Sequence, residues 1–146
     1  IILETIARTG VRAVLSAGWS GLGTDRPLPE NVFLVKDTPH RWLFPQMAAI
    51  VHHGGAGTTG AALSAGVPSL IIPHFGDQYY WGRRVAELGV GPKPIVRKKL
   101  TAENFAEAIS MALNDSAMRE RASRLGATIR VEDGVNQAVQ IIRNYI

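Results

Sequence analysis

Val51-His-His-Gly-Gly-Ala-Gly-Thr-Thr-Gly60 runs from an apolar segment into a cluster of glycines and small hydroxyl residues. Before it, Ala48 to His52 (AAIVH) has the short β-branched character of a buried strand. After it, Thr58 to Ala65 has the small side chains of a helix lying close to a sheet. Gly66-Val-Pro68 then stops that helix with a glycine and a following proline, and Ser69 to Pro73 (SLIIP) resumes as a strand. Strand, glycine turn, helix and strand together describe a parallel pair joined by a crossover.

Outward from this unit the pattern repeats. Val11 to Ala17 and Asn31 to Lys36 read as two earlier strands, with a helix tail over Ile1 to Thr9 and a helical turn interrupted by Pro45 over His40 to Met47. Asp77 to Leu88 is helical and Gly89 stops it; a short extended piece follows around Ile95 and Val96. Thr101 is a credible N-cap for the helical remainder. Its apolar stripes are Phe105, Ile109 and Leu113, then Met118, Ala122 and Leu125, then Val135, Val139, Ile142 and Ile146. The fold class implied is α/β, a Rossmann-like parallel sheet with helices on both faces.

The 146 residues suit one domain, which at this size buries about 70% of its unfolded surface. Two domains would be a squeeze. The 46% hydrophobic and 19% charged content is that of an ordinary globular chain. With no cysteine, disulfides, thiolate catalysis and Cys-type zinc sites are excluded. The longest apolar run, Val67 to Pro73, is far short of a membrane span. The net charge of +4 suits an anionic ligand, but the only basic cluster, Arg97-Lys-Lys99, reads as solvated surface, and no nucleic-acid partner is expected.

The glycine loop sits where open α/β sheets bind ligands, beyond the carboxyl end of a strand. Glycines let backbone approach a ligand closely, and the first amides of the new helix form a positive terminus suited to phosphate. Two ligands compete. Residues 55 to 60, GAGTTG, fit the G-x-G-x-x-G of a dinucleotide turn, with Asp77 about 20 residues on in the place of a ribose-binding acid. Against that, His74-Phe-Gly76 separates Asp77 from its strand, and three strands precede the loop where the fingerprint follows the first. No lysine follows the glycines, so a P-loop fits worse. The alternation of a strand sends His52 and His53 to opposite faces, so the pair is not expected to chelate one metal.

Residues 35 to 89 resemble the donor-binding signature of GT-B glycosyltransferases that use UDP-sugars, and most of all the sterol 3-β-glucosyltransferase branch. The resemblance rests on Pro39-His-Arg-Trp-Leu-Phe-Pro-Gln46, Val51-His-His-Gly-Gly-Ala-Gly-Thr-Thr59, Ala65-Gly-Val-Pro68 and Phe75-Gly-Asp-Gln78. Gly18-Trp-Ser-Gly21, Trp81-Gly-Arg-Arg-Val85 and Gly89-Val-Gly91 extend it over most of the chain.

The resemblance implies that His53, Gly55, Ala56, Gly57, Thr58 and Thr59 hold the donor's diphosphate, with His53 stabilising the departing phosphate rather than acting as base. It implies that Asp77 and Gln78 bond the sugar hydroxyls; Asp77 read alone could instead be a helix N-cap. The uracil would lie near Val35, which stands where plant relatives have a stacking Trp, and Ala61 replaces their ribose-binding Glu. Trp19 and Ser20 are the candidate replacements near the nucleotide, and His74 stands where an aromatic is expected.

The family fold further implies a second, N-terminal domain carrying the acceptor and the catalytic base. The opening Ile1-Ile-Leu-Glu lacks an initiator Met and suggests a fragment without that domain and without the first strand of its own. The expected function is donor binding in an inverting transferase that moves glucose from UDP-glucose to a sterol or other lipophilic hydroxyl. The 146 residues would contain no catalytic base and be inactive alone. No metal and no cofactor are expected, UDP-glucose being substrate. The expected location is cytoplasmic, with peripheral membrane contact through the acceptor. The other readings are a stand-alone donor subunit of a split glycosyltransferase and an NAD-binding oxidoreductase domain.

Overall fold

A computed structural model describes residues 1–16, 27–36 and 38–145. Helix α1 (Ile2–Thr9) leads through Gly10, in the left-handed conformation at φ 65°, into strand β1 (Ala13–Ser16), which pairs parallel with β2 (Val32–Val35). A short helix α2 (His40–Leu43) and a 3-10 turn at Phe44–Gln46 lead to β3 (Ile50–His52). The expected crossover follows: α3 (Ala56–Ala65) carries the chain to β4 (Ser69–Ile71), parallel to β3 with Ile50 opposite Ser69 and His52 opposite Ile71. Gly66, at φ 74°, ends α3 as its sequence implies.

Beyond β4 the chain is helical: α4 (Gln78–Glu87), a 3-10 turn at Arg97–Lys99, α5 (Ala102–Asn114), α6 (Ser116–Val131) and α7 (Gly134–Arg143). Thr101 caps α5 in a reciprocal box, its Oγ1 accepting the Asn104 N–H at 3.3 Å while Asn104 Oδ1 accepts the Thr101 N–H at 3.0 Å. Asp115 caps α6 through the Met118 N–H.

β4 is the centre of the core. Its side chains alternate between faces, Leu70 packing with Phe105 and Ala108 of α5 while Ile71 packs with Val85, Val90 and Ala122. Both faces of that strand are therefore covered by helices, which is why Leu70 and Ile71, on opposite faces, are both apolar. A third cluster, Phe44, Ile50, Ala62 and Val67, fixes α3 over β3.

One feature differs from the sequence reading and two refine it. The parallel sheet is divided into two pairs, β1 with β2 and β3 with β4. The extended piece at Ile95 runs beside β4, its N–H donating to Ile71 O at 3.1 Å and the Arg97 N–H to Pro73 O at 3.3 Å, without becoming a strand. Pro92 and Pro94 have no N–H to lengthen that ladder. Lastly, the α7 stripe exists but faces solvent, with Val135, Val139 and Ile142 exposed; Ile146 lies outside the described residues. Periodicity reports that a helix has an apolar face, not what covers it.

Candidate functional site

The loop leaving β3 is shaped by three contacts. The Gly54 N–H donates to His52 Nδ1 at 3.1 Å. Gly54 has φ 92°, and a Cβ there would meet Ile71 Cγ2 at 2.6 Å and the Gln78 carbonyl oxygen at 3.1 Å, so only glycine lets the loop press against the start of α4. At Gly55 a Cβ would fall 2.5 Å from His53 Nε2; the imidazole of His53 occupies that space. His53 is itself exposed, so its ring lies at the mouth of the loop and reaches solvent.

Gly55 is the N-cap of α3, and among the described residues no side chain caps that helix. The intrahelical ladder begins with the Thr59 N–H donating to Gly55 O at 2.9 Å, which leaves the amides of Ala56, Gly57 and Thr58 without helix carbonyls to bond. Among the described residues, a Cβ at Gly57 or at Gly60 would meet nothing within 4 Å. Close packing in the fold therefore does not explain either glycine. Thr59 is buried, and its Oγ1 has no hydrogen-bond partner among the described residues.

His52 holds the loop from below. Burial, then the neighbouring His53 and His40, push its pKa down from 6.5 to about 4, so it is neutral and Nδ1 accepts the Gly54 amide. Protonation would turn that acceptor into a donor and break the bond. Because the folded-state pKa is depressed, the stabilisation is complete above about pH 6.5 and is lost as pH falls toward 4. The full effect is about 3 kcal/mol. Urea midpoints measured from pH 7 to pH 4 should fall in this window, and a His52→Asn variant should show a flatter profile; equal slopes in the two proteins would refute the assignment.

The second wall is the turn between β4 and α4. Gln78 is buried, and its Oε1 accepts the His74 N–H at 2.8 Å and the Phe75 N–H at 3.3 Å. Its carbonyl oxygen thus fixes the turn, leaving Nε2 as the group able to donate to a ligand. Asp77 is exposed and provides no side-chain cap to α4; its Oδ2 accepts Trp81 Nε1 at 3.2 Å. The pKa of His74 is lowered by desolvation, then by Arg97 and by His53. An uncapped helix N-terminus with the His53 imidazole at its mouth suits an anion.

Residues 3–142 match the family described as Erythromycin biosynthesis protein CIII-like, C-terminal domain. The chain belongs to this family, the C-terminal domain of GT-B glycosyltransferases. It is 46% identical over 147 residues to sterol 3-beta-glucosyltransferase UGT80B1 of Arabidopsis thaliana, covering 100% of this chain and 24% of that protein. This glycosyltransferase domain thus spans about a quarter of the plant relative's length. Among solved structures, the glycotransferase of kitacinnamycin superposes with a TM-score of 0.86 at 28% identity, over 98% of this chain and 37% of that one. The glycosyltransferase VinC in complex with dTDP superposes with a TM-score of 0.76 at 25% identity, over 99% of this chain and 38% of that one. These relatives carry the α/β fold read from the sequence.

Within the glycosyltransferase domain, the loop His53 to Thr59 and the turn bearing Asp77 and Gln78 come together, with Gly54 against the Gln78 backbone. Val35 ends β2 in the other sheet, opposite Ser16. Trp19 and Ser20 lie outside the described residues. Arg97, Lys98 and Lys99 are exposed, in keeping with the solvated surface read from the sequence. His52 was underread, since its role depends on burial.

Proposed function

We propose that this glycosyltransferase domain holds the diphosphate of a UDP-sugar at the N-terminus of α3. The observation that carries the reading is the uncapped first turn of α3, with the His53 imidazole laid over Gly55 at its mouth. The amides of Ala56, Gly57 and Thr58 face the phosphates, with Thr59 completing the turn. His53 donates to the phosphate oxygen that gains charge as the sugar leaves, and Arg97, whose charge acts on His74, adds to the positive field. Asp77 and the Nε2 of Gln78 bond the sugar hydroxyls, for which glucose is the proposed identity. Val35, with Trp19 and Ser20, borders the nucleoside.

Transfer then requires little covalent work from these residues. An acceptor hydroxyl attacks the anomeric carbon, the carbon–oxygen bond to the β-phosphate breaks, and its electron pair stays on the phosphate. The acceptor proton goes to a base outside this chain. Backbone dipoles and the nearby cationic groups neutralise the leaving group, so neither a metal nor a cofactor is required. The likeness to a sterol glucosyltransferase supports a sterol or other lipophilic hydroxyl as acceptor, and hence action at a membrane surface. Among the described residues no helix is long and apolar enough to cross one.

The parent polypeptide, given UDP-glucose and ergosterol with EDTA present, should form the β-glucoside, with the anomer read by proton NMR. An α-glucoside would contradict inversion, and loss of activity in EDTA would contradict metal independence.

A further inference from the structure

Asp77 stands at the N-cap position of α4 without serving that helix as a cap. An N-cap carboxylate ordinarily sits on extended backbone and turns back onto the amide of the second or third helical residue. The Asp77 backbone is already helical, at φ −68° and ψ −14°, and its side chain accepts no amide of the first turn. Oδ2 accepts the indole N–H of Trp81 instead, one turn along, at 3.2 Å. Among the described residues Oδ1 accepts no bond.

Trp81 is suited to holding a carboxylate still. It is half-buried and packs on the cluster of Ile71, Val85, Val90 and Ala122. Tyr80 meets its ring edge-on, with centroids 5.1 Å apart. The Trp81 backbone N–H donates to Asp77 O at 3.1 Å, so backbone and side chain fasten the same two residues together. The ring cannot swing away without disturbing a packed cluster. An indole N–H only donates, so what it holds there is a carboxylate oxygen.

Gln78, the next residue, is committed in the complementary sense. Its Oε1 is taken by the His74 and Phe75 amides, which leaves Nε2. The turn therefore offers one acceptor, Oδ1 of Asp77, and one amide donor, Nε2 of Gln78, each oriented because its sister atom is tied. One hydroxyl can donate to the first while another accepts from the second. An exposed aspartate left untied would exchange rotamers, and a ligand would have to bear the cost of ordering it.

We infer that Trp81 is a positioning residue for recognition of the donor sugar: by holding Oδ2 it fixes the Asp77 carboxylate with Oδ1 turned to a sugar hydroxyl. The inference rests on the donor-site reading above and adds to it a residue that acts only through another. The diphosphate is held at α3, so loss of the indole N–H weakens binding of the sugar and leaves binding of free UDP unchanged. A residue needed only for packing would weaken both.

The test is calorimetric titration of this chain, of Trp81→Phe, of Asp77→Ala and of the double variant, each with UDP and with UDP-glucose. Phenylalanine keeps an aromatic ring on the cluster and removes the donor. A hydrogen bond to a charged group corresponds to about 10-fold to 100-fold in affinity, and Asp77→Ala should lower UDP-glucose affinity by that much. Trp81→Phe should lower it at least about 5-fold, and UDP affinity should stay within about 2-fold in both variants. With Asp77 already replaced, Trp81→Phe should have no further effect on UDP-glucose. Without ligand, the indole N–H signal of Trp81 in a proton–nitrogen NMR spectrum should shift on Asp77→Ala.

UDP and UDP-glucose affinities falling together in Trp81→Phe would make Trp81 a packing residue and overturn the inference. So would an equal loss with and without Asp77, no loss in Asp77→Ala, or an indole signal indifferent to that change. Should neither UDP nor UDP-glucose bind the unaltered chain, the donor-site reading fails and the inference falls with it.

Discussion

Gly91→Ala should destabilise this domain by about 3 kcal/mol or more, at the upper end of what overpacking a core costs. A Cβ at Gly91 would stand 1.9 Å from the Ser69 carbonyl oxygen and 2.6 Å from Val85 Cγ1. The first of these is backbone of the central strand and cannot swing aside. The same strand end is tied down by the Ser69 N–H, which donates to Val90 O at 3.1 Å. Relief would have to separate the turn after α4 from β4, opening the cluster of Ile71, Val85 and Val90. Total stability for a domain of this size is about 5–15 kcal/mol, so the variant should lose much of it. Urea denaturation followed by circular dichroism measures this; an unchanged midpoint would show that β4 and the turn are not held together as described.

The glycines show what a sequence can and cannot disclose. Gly66 and Gly89 were legible as helix stops because the left-handed conformation they adopt, at φ 74° and 65°, is a local need that a local pattern reveals. The strand-loop-helix unit was legible for the same reason: a β-branched run, glycines and a small-residue helix follow one another in sequence. Gly91 and Gly126 were not. Each is glycine because a distant backbone passes close by, the Ser69 oxygen in one case and Gly66 in the other. The candidate site divides the same way. His53 to Thr59 lies in one contiguous stretch, whereas Gln78 belongs to a separate turn that its own side chain fixes, and only the tertiary approach of Gly54 brings the two together. The division of the sheet was equally invisible, since a strand pattern carries no record of which edges find partners.

Gly57→Glu should separate folding from ligand binding. The position is in the first turn of α3, and a side chain there meets nothing within 4 Å. Replacing glycine in a helix gains about 0.5–1 kcal/mol, and an acid in the first turn adds about 0.3–1 kcal/mol through the helix dipole. The variant should therefore melt at or above the temperature of the parent protein. A carboxylate at that place competes with a diphosphate for the same amides and repels it. UDP affinity should fall at least about 100-fold, equivalent to about 2.7 kcal/mol. Gly60→Ala is the matched control, since its Cβ also meets nothing within 4 Å. It should gain similar helical stability and keep its affinity.

The most direct test of the donor-site account is calorimetric titration of this chain with UDP and with NAD, repeated for His53→Ala and Gly57→Glu. The account requires saturable one-site binding of UDP, weaker in His53→Ala and lost in Gly57→Glu, with no heat from NAD. Binding of NAD without UDP, or UDP binding undiminished in Gly57→Glu, would contradict it.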